Sequence, residues 1–160
     1  MKDPRAILIT GASSGIGAAL AVAYAAPGRS LFLTGRHETR LPSVAGDCRE
    51  RGAEVTSAAL DVTDAVALAD WIAAMDTARP LDLVIANAGI SGGTDKAAGG
   101  EDASQARRIF AVNLHGVINT VMPAIALMRA RGRGQIALMS SLAGFRGFPG
   151  APAYCASKAA

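Results

Sequence analysis

Eight residues near the N-terminus, Thr10-Gly11-Ala12-Ser13-Ser14-Gly15-Ile16-Gly17, constrain this chain more than any other stretch. An apolar run, Ala6-Ile7-Leu8-Ile9, leads into them, and a small-residue helical pattern from Ala18 to Ala26 leads out. Strand, glycine turn and helix in that order place a helix N-terminus against an anion, with backbone N–H groups unobstructed by Cβ atoms. The spacing is Gly-x-x-x-Gly-x-Gly, not the commoner Gly-x-Gly-x-x-Gly dinucleotide fingerprint. Tight strand-to-helix turns also occur without a ligand, so the rest of the chain decides what this one means.

Strand and helix patterns alternate from there on. Strands are expected at Arg5 to Thr10, Ser30 to Thr34, Glu54 to Leu60, Leu81 to Ala86 and Gly134 to Ser140. Helices are expected at Ile16 to Ala26, in the second half of His37 to Gly52, and at Ala65 to Thr77, the last capped by Thr63-Asp64. A Gly-rich, mobile loop is expected from Ser91 to Gly100, then a long helix from about Asp102 to Arg131 with a kink at Pro123. The cluster Arg129, Arg131 and Arg133 at its end reads as favourable charge against the helix dipole. A last helix has barely begun at Ala160. Five strands separated by helices specify an α/β domain, a parallel sheet with helices on both faces. Ligands in such sheets bind beyond the carboxyl ends of the strands. Gly11 to Gly17, Gly35-Arg36, Asp61, Asn87 and Ser140-Ser141 all fall there.

Composition removes several classes of function. At 160 residues, 51% hydrophobic and 18% charged, the chain can bury a core. A net charge of +3 from scattered basic residues, with 4% aromatics, suits an anionic small ligand and falls short of a nucleic-acid footprint. No apolar run approaches the ~20 residues of a membrane span, so no membrane partner is expected. Met1-Lys2-Asp3-Pro4-Arg5 runs straight into the first strand, so no signal peptide is expected. Cys48 and Cys155 have no metal-ligand spacing, and His37 and His115 have no second ligand near them. No metal is expected, His37 and His115 read as structural or solvated, and a reducing cytoplasm is the expected compartment.

Tyr154 and Lys158 lie four apart on the last helix and share a face. A cation beside a phenol favours the phenolate: tyrosine starts near pKa ~10, and a charge within ~4–6 Å moves a group by about 1–3 units. Tyr154 can then act as an acid/base near neutral pH. An isolated Tyr-x-x-x-Lys is ordinarily a solvated pair. Here Ser141 stands at a strand end thirteen residues upstream, across a Gly/Pro loop.

Together, Thr10-Gly11-x-x-x-Gly15-x-Gly17, Asp61-Val62, Asn87-Ala88-Gly89, Asn113, Ser141 and Tyr154-x-x-x-Lys158 resemble the short-chain dehydrogenase/reductase family, in its single-domain, non-extended branch. The resemblance runs from Ala6 to the last residue, with every motif in order. It implies a Rossmann-type doubly wound sheet of strand order 3-2-1-4-5. It implies an oxidoreductase that moves hydride between a nicotinamide and a carbonyl/alcohol substrate, with Tyr154 as acid/base. Ser141 would hold the substrate oxygen, in preference to its neighbour Ser140. Lys158 would lower the Tyr154 pKa and bind the ribose, and Asn113 would help hold a relay water. Gly11, Ser13, Ser14, Gly15, Ile16, Gly17, Asp61, Val62, Asn87, Ala88, Gly89, Tyr154 and Lys158 would contact the cofactor. Family members continue past the position of Ala160 with at least one more strand. The expectation is therefore that residues 1–160 are the N-terminal part of a longer single-domain enzyme, incomplete at the C-terminus. Family members are usually homodimers or homotetramers. The loops Ser91 to Gly100 and Phe145 to Ala153 are expected to line a partly apolar substrate pocket. Two other readings compete: a nucleotide-binding module without turnover, truncated or regulatory, and a methyltransferase-like sheet, which the Ser141, Tyr154 and Lys158 set opposes.

Cofactor choice is read at the end of the second strand. An NAD-preferring site usually has a carboxylate there for the ribose 2′-OH. Here Gly35 takes that place and Arg36 follows, a residue able to clamp a 2′-phosphate with paired donors. NADP(H) is expected over NAD(H). Replacing Arg36 with Ala should raise KM for NADPH far more than KM for NADH; equal effects in steady-state kinetics would remove the assignment.

Overall fold

The computed structural model describes residues 3–92 and 100–160. Most of the expected 91–100 loop, residues 93–99, thus lies outside the described residues. Five strands, β1 (Ala6–Thr10), β2 (Ser30–Gly35), β3 (Glu54–Ala59), β4 (Leu83–Ala86) and β5 (Gln135–Leu138), pair in parallel in the order β3-β2-β1-β4-β5. This is the doubly wound order expected above. The helices are α1 (Gly15–Tyr24), α2 (Arg40–Glu50), α3 (Ala65–Ala78), α4 (Ala103–Phe110), α5 (Gly116–Ala130) and α6 (Pro152–Ala159).

Alternation of side chains along the central strands divides the core in two. Ile7, Ile9, Leu31, Leu33, Leu83 and Ile85 face one side and meet Ala21, Leu41, Ala45 and Cys48 of α1 and α2. Ala6, Leu8, Phe32 and Val84 face the other side and meet Leu68 and Ile72 of α3 and Ala124 and Met128 of α5. Both faces are covered, so β1, β2 and β4 read as nearly continuous apolar runs. β3 and β5 are the edges, and Leu138 of β5 is exposed.

Three local features differ from expectation. β4 begins at Leu83, not Leu81, because the two preceding residues have other partners. The Leu81 N–H donates to Asp76 at 2.8 Å, and the Asp82 carboxylate accepts from the Arg5 and Ala6 N–H groups at the start of β1. The long helix is irregular at Ala111–His115, which form one π-helical turn, while α5 runs on through Pro123. Arg131 is not a free charge against the dipole: it pairs with Asp76 at 2.9 Å, donates to the Leu81 carbonyl, and ties the end of α5 to α3 and β4. The Asp64 cap of α3 is as expected, its side chain accepting from the Ala67 N–H at 3.0 Å.

The helical run Ala103–Ala130 has the length and apolar composition of a membrane span, which inspection for an apolar run alone did not find. One side of it supplies Ile109, Val112, Thr120, Ala124 and Met128 to the buried interior, while Ile118 and Met122 stay exposed.

Asp76 receives both the Arg131 guanidinium and the Leu81 N–H, and both side chains of the ion pair are largely buried. Removing one partner of a buried pair strands the other without solvent. Asp76→Ala should therefore lower the unfolding free energy by about 3 kcal/mol in urea titration; a loss below about 1 kcal/mol would show the pair behaving as a surface pair.

Candidate active site

The carboxyl ends of the strands open onto one cleft of about 640 Å³. Its floor is the glycine turn. Gly11 and Gly15 have φ of +68° and +55°, which side-chain-bearing residues adopt at a cost. A Cβ on Gly11 would lie 2.8 Å from the Ala88 Cα, and one on Gly17 would run into the Gly11 carbonyl and the Asn87 carboxamide. Gly17 therefore does not line the cleft; it lets α1 start directly over the end of β4. Ser14 is the N-cap of α1 yet makes no side-chain capping bond, so the first-turn amides lack a side-chain acceptor. Gly11, Ser13, Ser14, Gly15 and Ile16 line the cleft at this end. An anion seated there would meet open N–H groups and the positive end of the helix dipole.

Beyond β2 the cleft is walled by Gly35, Arg36 and His37. A Cβ on Gly35 would sit 2.9 Å from the Ser13 Oγ, so this strand end leaves no room for a carboxylate side chain. Arg36 is half exposed and 3.6 Å from Asp61, a pair weak enough to release the guanidinium to a stronger anion. Burial tends to raise the Asp61 pKa. Two 2.9 Å bonds from Thr63 and the Arg36 charge outweigh it and hold the carboxyl below its ordinary value. His37, read from sequence as structural or solvated, is exposed and lines this end of the cleft. Val62 is buried, and Asn119 of α5 donates to its carbonyl at 2.9 Å.

Asn87, Ala88 and Gly89 continue the wall from β4. The Asn87 carboxamide donates to the carbonyls of Thr10 at 3.0 Å and Gly11 at 3.4 Å, so its side chain secures the glycine turn while its edge lines the cleft. A Cβ on Gly89 would lie 3.4 Å from the Asn113 Oδ1 and 3.5 Å from the Lys158 Nζ, which places both groups against the same stretch of backbone.

Asn113 sits on the π turn, buried and outside the cleft lining. Its Oδ1 accepts from the Ile90 N–H at 2.8 Å, and its Nδ2 donates to the Ile90 carbonyl at 2.9 Å and the Ser157 Oγ at 3.0 Å. Ser157 in turn donates to the Tyr154 carbonyl at 2.8 Å. Neither the π turn nor Ser157 is marked in the sequence, since the contacts that accompany them run from Asn113 to Ile90 and Ser157, 23 and 44 residues away. A π turn replaces i→i+4 bonds with i→i+5 bonds and recurs at functional sites.

Tyr154 and Lys158 of α6 line the cleft together with Ser140 and Ser141. The Lys158 Nζ donates to the Met139 carbonyl at 2.8 Å, and burial pushes the ammonium pKa down. The two serines differ. The Ser140 Oγ donates to the Lys158 carbonyl at 3.2 Å, whereas the Ser141 Oγ accepts from the Ala143 N–H at 3.2 Å and keeps its own proton to donate. Of the loops expected to line a substrate pocket, Ser91 reaches the cleft, while Phe145 and Phe148 are exposed and do not. Cys155 accepts from the Phe148 N–H at 3.2 Å, and among the described residues no cluster of metal ligands occurs.

The model of the short chain dehydrogenase family matches residues 5–160. A protein of Myxococcus xanthus described as an uncharacterized oxidoreductase is 41% identical over 156 residues, 97% of this chain and 61% of its own length. The crystal structure of levodione reductase superposes with a TM-score of 0.88 at 30% identity, covering 97% of this chain and 61% of that one. An NAD+-bound xylitol dehydrogenase superposes with a TM-score of 0.89 at 26% identity, covering 97% and 60%. The chain thus spans about three-fifths of the length of these relatives.

Lys158 has a folded-state pKa below its unfolded one, so the folded chain sheds this proton first and native stability rises with pH across that window. Lys158→Met should make the ligand-free protein more stable below the folded-state pKa. That gain should shrink as pH climbs towards the ordinary lysine value. Thermal melts over a pH series check it; a destabilised variant at every pH would show that the Met139 bond outweighs the desolvation.

Proposed function

This chain belongs to the short chain dehydrogenase family, and from that footing we propose that it is the dinucleotide-binding, N-terminal part of an NADP(H)-dependent oxidoreductase acting on a carbonyl/alcohol pair. One observation carries the reading: Tyr154, Lys158 and Ser141 line the same cleft as the glycine turn, though they come from opposite ends of the chain. A dinucleotide fits that cleft. The α1 N-terminus is open for its phosphates, and Gly35 in place of an acidic residue, with Arg36 next to it, would suit a ribose that carries a 2′-phosphate. Arg36 supports NADP(H) over NAD(H), and Asp61 and Val62 would flank the adenine.

The nicotinamide, when bound, supplies or accepts the hydride. The chain's own groups handle the proton. In reduction the Tyr154 phenol gives its proton to the substrate oxygen; in oxidation the phenolate takes one from the alcohol. The Ser141 hydroxyl donates to that oxygen and orients it. The Lys158 ammonium would hold the ribose, and Asn113 keeps the π turn against Ile90 so that a relay water can be held near Lys158. Cytoplasmic localisation accords with two unpaired cysteines. A homodimer or homotetramer would use the exposed Ile118 and Met122 side of α5.

Tyr154→Phe should reduce NADPH-dependent turnover on a carbonyl panel by about 10²–10⁴-fold while NADPH binding persists. A variant with unchanged turnover would overturn the assignment, and a wild-type protein that binds NADPH without any turnover would favour the nucleotide-binding module.

A further inference from the structure

The helix that carries Tyr154 begins without a cap of its own. Its N-cap is Ala151, which has no side-chain oxygen, and Pro152 follows at the first helical position. The next two residues, Ala153 and Tyr154, present N–H groups that a helix leaves unsatisfied. A residue from another part of the chain satisfies both. The Glu101 carboxylate accepts from the Ala153 N–H at 2.5 Å and from the Tyr154 N–H at 3.2 Å and 3.3 Å through its two oxygens.

Glu101 is itself held in place. Gly100 has a φ of +92°, and a Cβ there would lie 3.2 Å from the Gly150 carbonyl oxygen, so the turn before Glu101 rests on the turn before α6. On the other side Gly92 leaves just enough room, since its Cβ would lie 3.0 Å from the Glu101 Cγ. Glu101 is followed by Asp102, which caps α4 through the Gln105 N–H. Two adjacent acids thus start two helices, Glu101 the one that carries Tyr154 and Asp102 the one that follows it in the chain.

We propose that Glu101 is a positioning residue for Tyr154: its carboxylate fixes the backbone from which the phenol projects into the cleft. Its negative charge also offsets the positive end of the α6 dipole at that point. The proposal rests on Tyr154 as the acid/base. A carboxylate at that place holds the start of the helix still. The remaining charged groups on elements packed against α6 are placed elsewhere. Arg107 and His115 line the outer groove of the long helix, Arg108 is bonded to Ser104, and Arg146 is exposed.

The experiment compares Glu101→Ala and Glu101→Gln with the wild type in the whole enzyme. Three measurements are made: NADPH-dependent turnover, NADPH binding, and amide exchange at Ala153 and Tyr154 by NMR. Glu101→Ala should lower kcat about tenfold or more with the NADPH dissociation constant within about twofold, because a small misplacement of a reacting group is costly. Its two amides should exchange faster. Glu101→Gln keeps an acceptor and should restore most of kcat and the slow exchange. Unchanged amide exchange and kcat in Glu101→Ala would overturn the proposal, as would a Glu101→Gln variant that behaves like Glu101→Ala in every measurement. If wild type and Tyr154→Phe prove equally inactive, the acid/base reading fails, and amide exchange in the two Glu101 variants still decides whether Glu101 holds the Tyr154 backbone.

Discussion

The sheet and the cleft depend on one fastening. The Thr10 hydroxyl, buried at the end of β1, accepts from the N–H groups of Asn87 and Ala88 at 3.1 Å and 3.2 Å. The Asn87 carboxamide returns two bonds to the carbonyls of Thr10 and Gly11. The β1–β4 ladder is thereby carried past its last paired residues into the turn itself. A buried polar group left without a partner costs about 1–3 kcal/mol, more than a satisfied one gains. The arrangement therefore tolerates little substitution at either residue. It also explains why Gly11 and Gly17 are glycines: four groups converge where a single methyl would not fit.

From that fastening the cleft is assembled by layers of backbone contact. Gly35 lies against Ser13, Gly89 against Asn113 and Lys158, and Gly116 against Val62. At Gly35 and Gly116 the approach is closer than a Cβ tolerates without a shift, while at Gly89 it is ordinary van der Waals contact. The charged groups then occupy what remains. Arg36 and Asp61 face each other at one end, and Lys158 is drawn in at the other by the Met139 carbonyl. An ammonium that is partly desolvated and held by one neutral acceptor is not at its most stable. It is well placed to interact with groups that enter the cleft, which is how functional sites commonly trade stability for activity.

The parts of this design that were legible in the sequence are those that act locally. The parallel α/β sheet followed from alternating strand and helix patterns, its strand order from the family resemblance, and the glycines at 11 and 15 match positions of positive φ. Asp64 announced itself as a cap because its acceptor lies three residues from the amide it serves. What could not be read depends on partners far along the chain. Arg131 looked like a helix-end charge because Asp76 is 55 residues away. Pro123 drew attention to the wrong turn of the long helix. The irregularity at Ala111–His115 is held instead by Asn113 bonding to Ile90 and Ser157, contacts that no periodicity encodes. Glu101 carried no signal at all, since an acid just before a helix normally belongs to that helix.

The borrowed cap on α6 bears on the order in which this chain can assemble. Eight residues are too few for a helix to persist in isolation, and Ala151 offers no local nucleus. Its amide partners lie 52 and 53 residues upstream, so α6 gains its starting turn only after the intervening strand and long helix have closed that loop. Tyr154 thus rides on a helix whose first turn depends on a carboxylate that the helix does not itself carry, and a chain with its sheet built can still lack that turn.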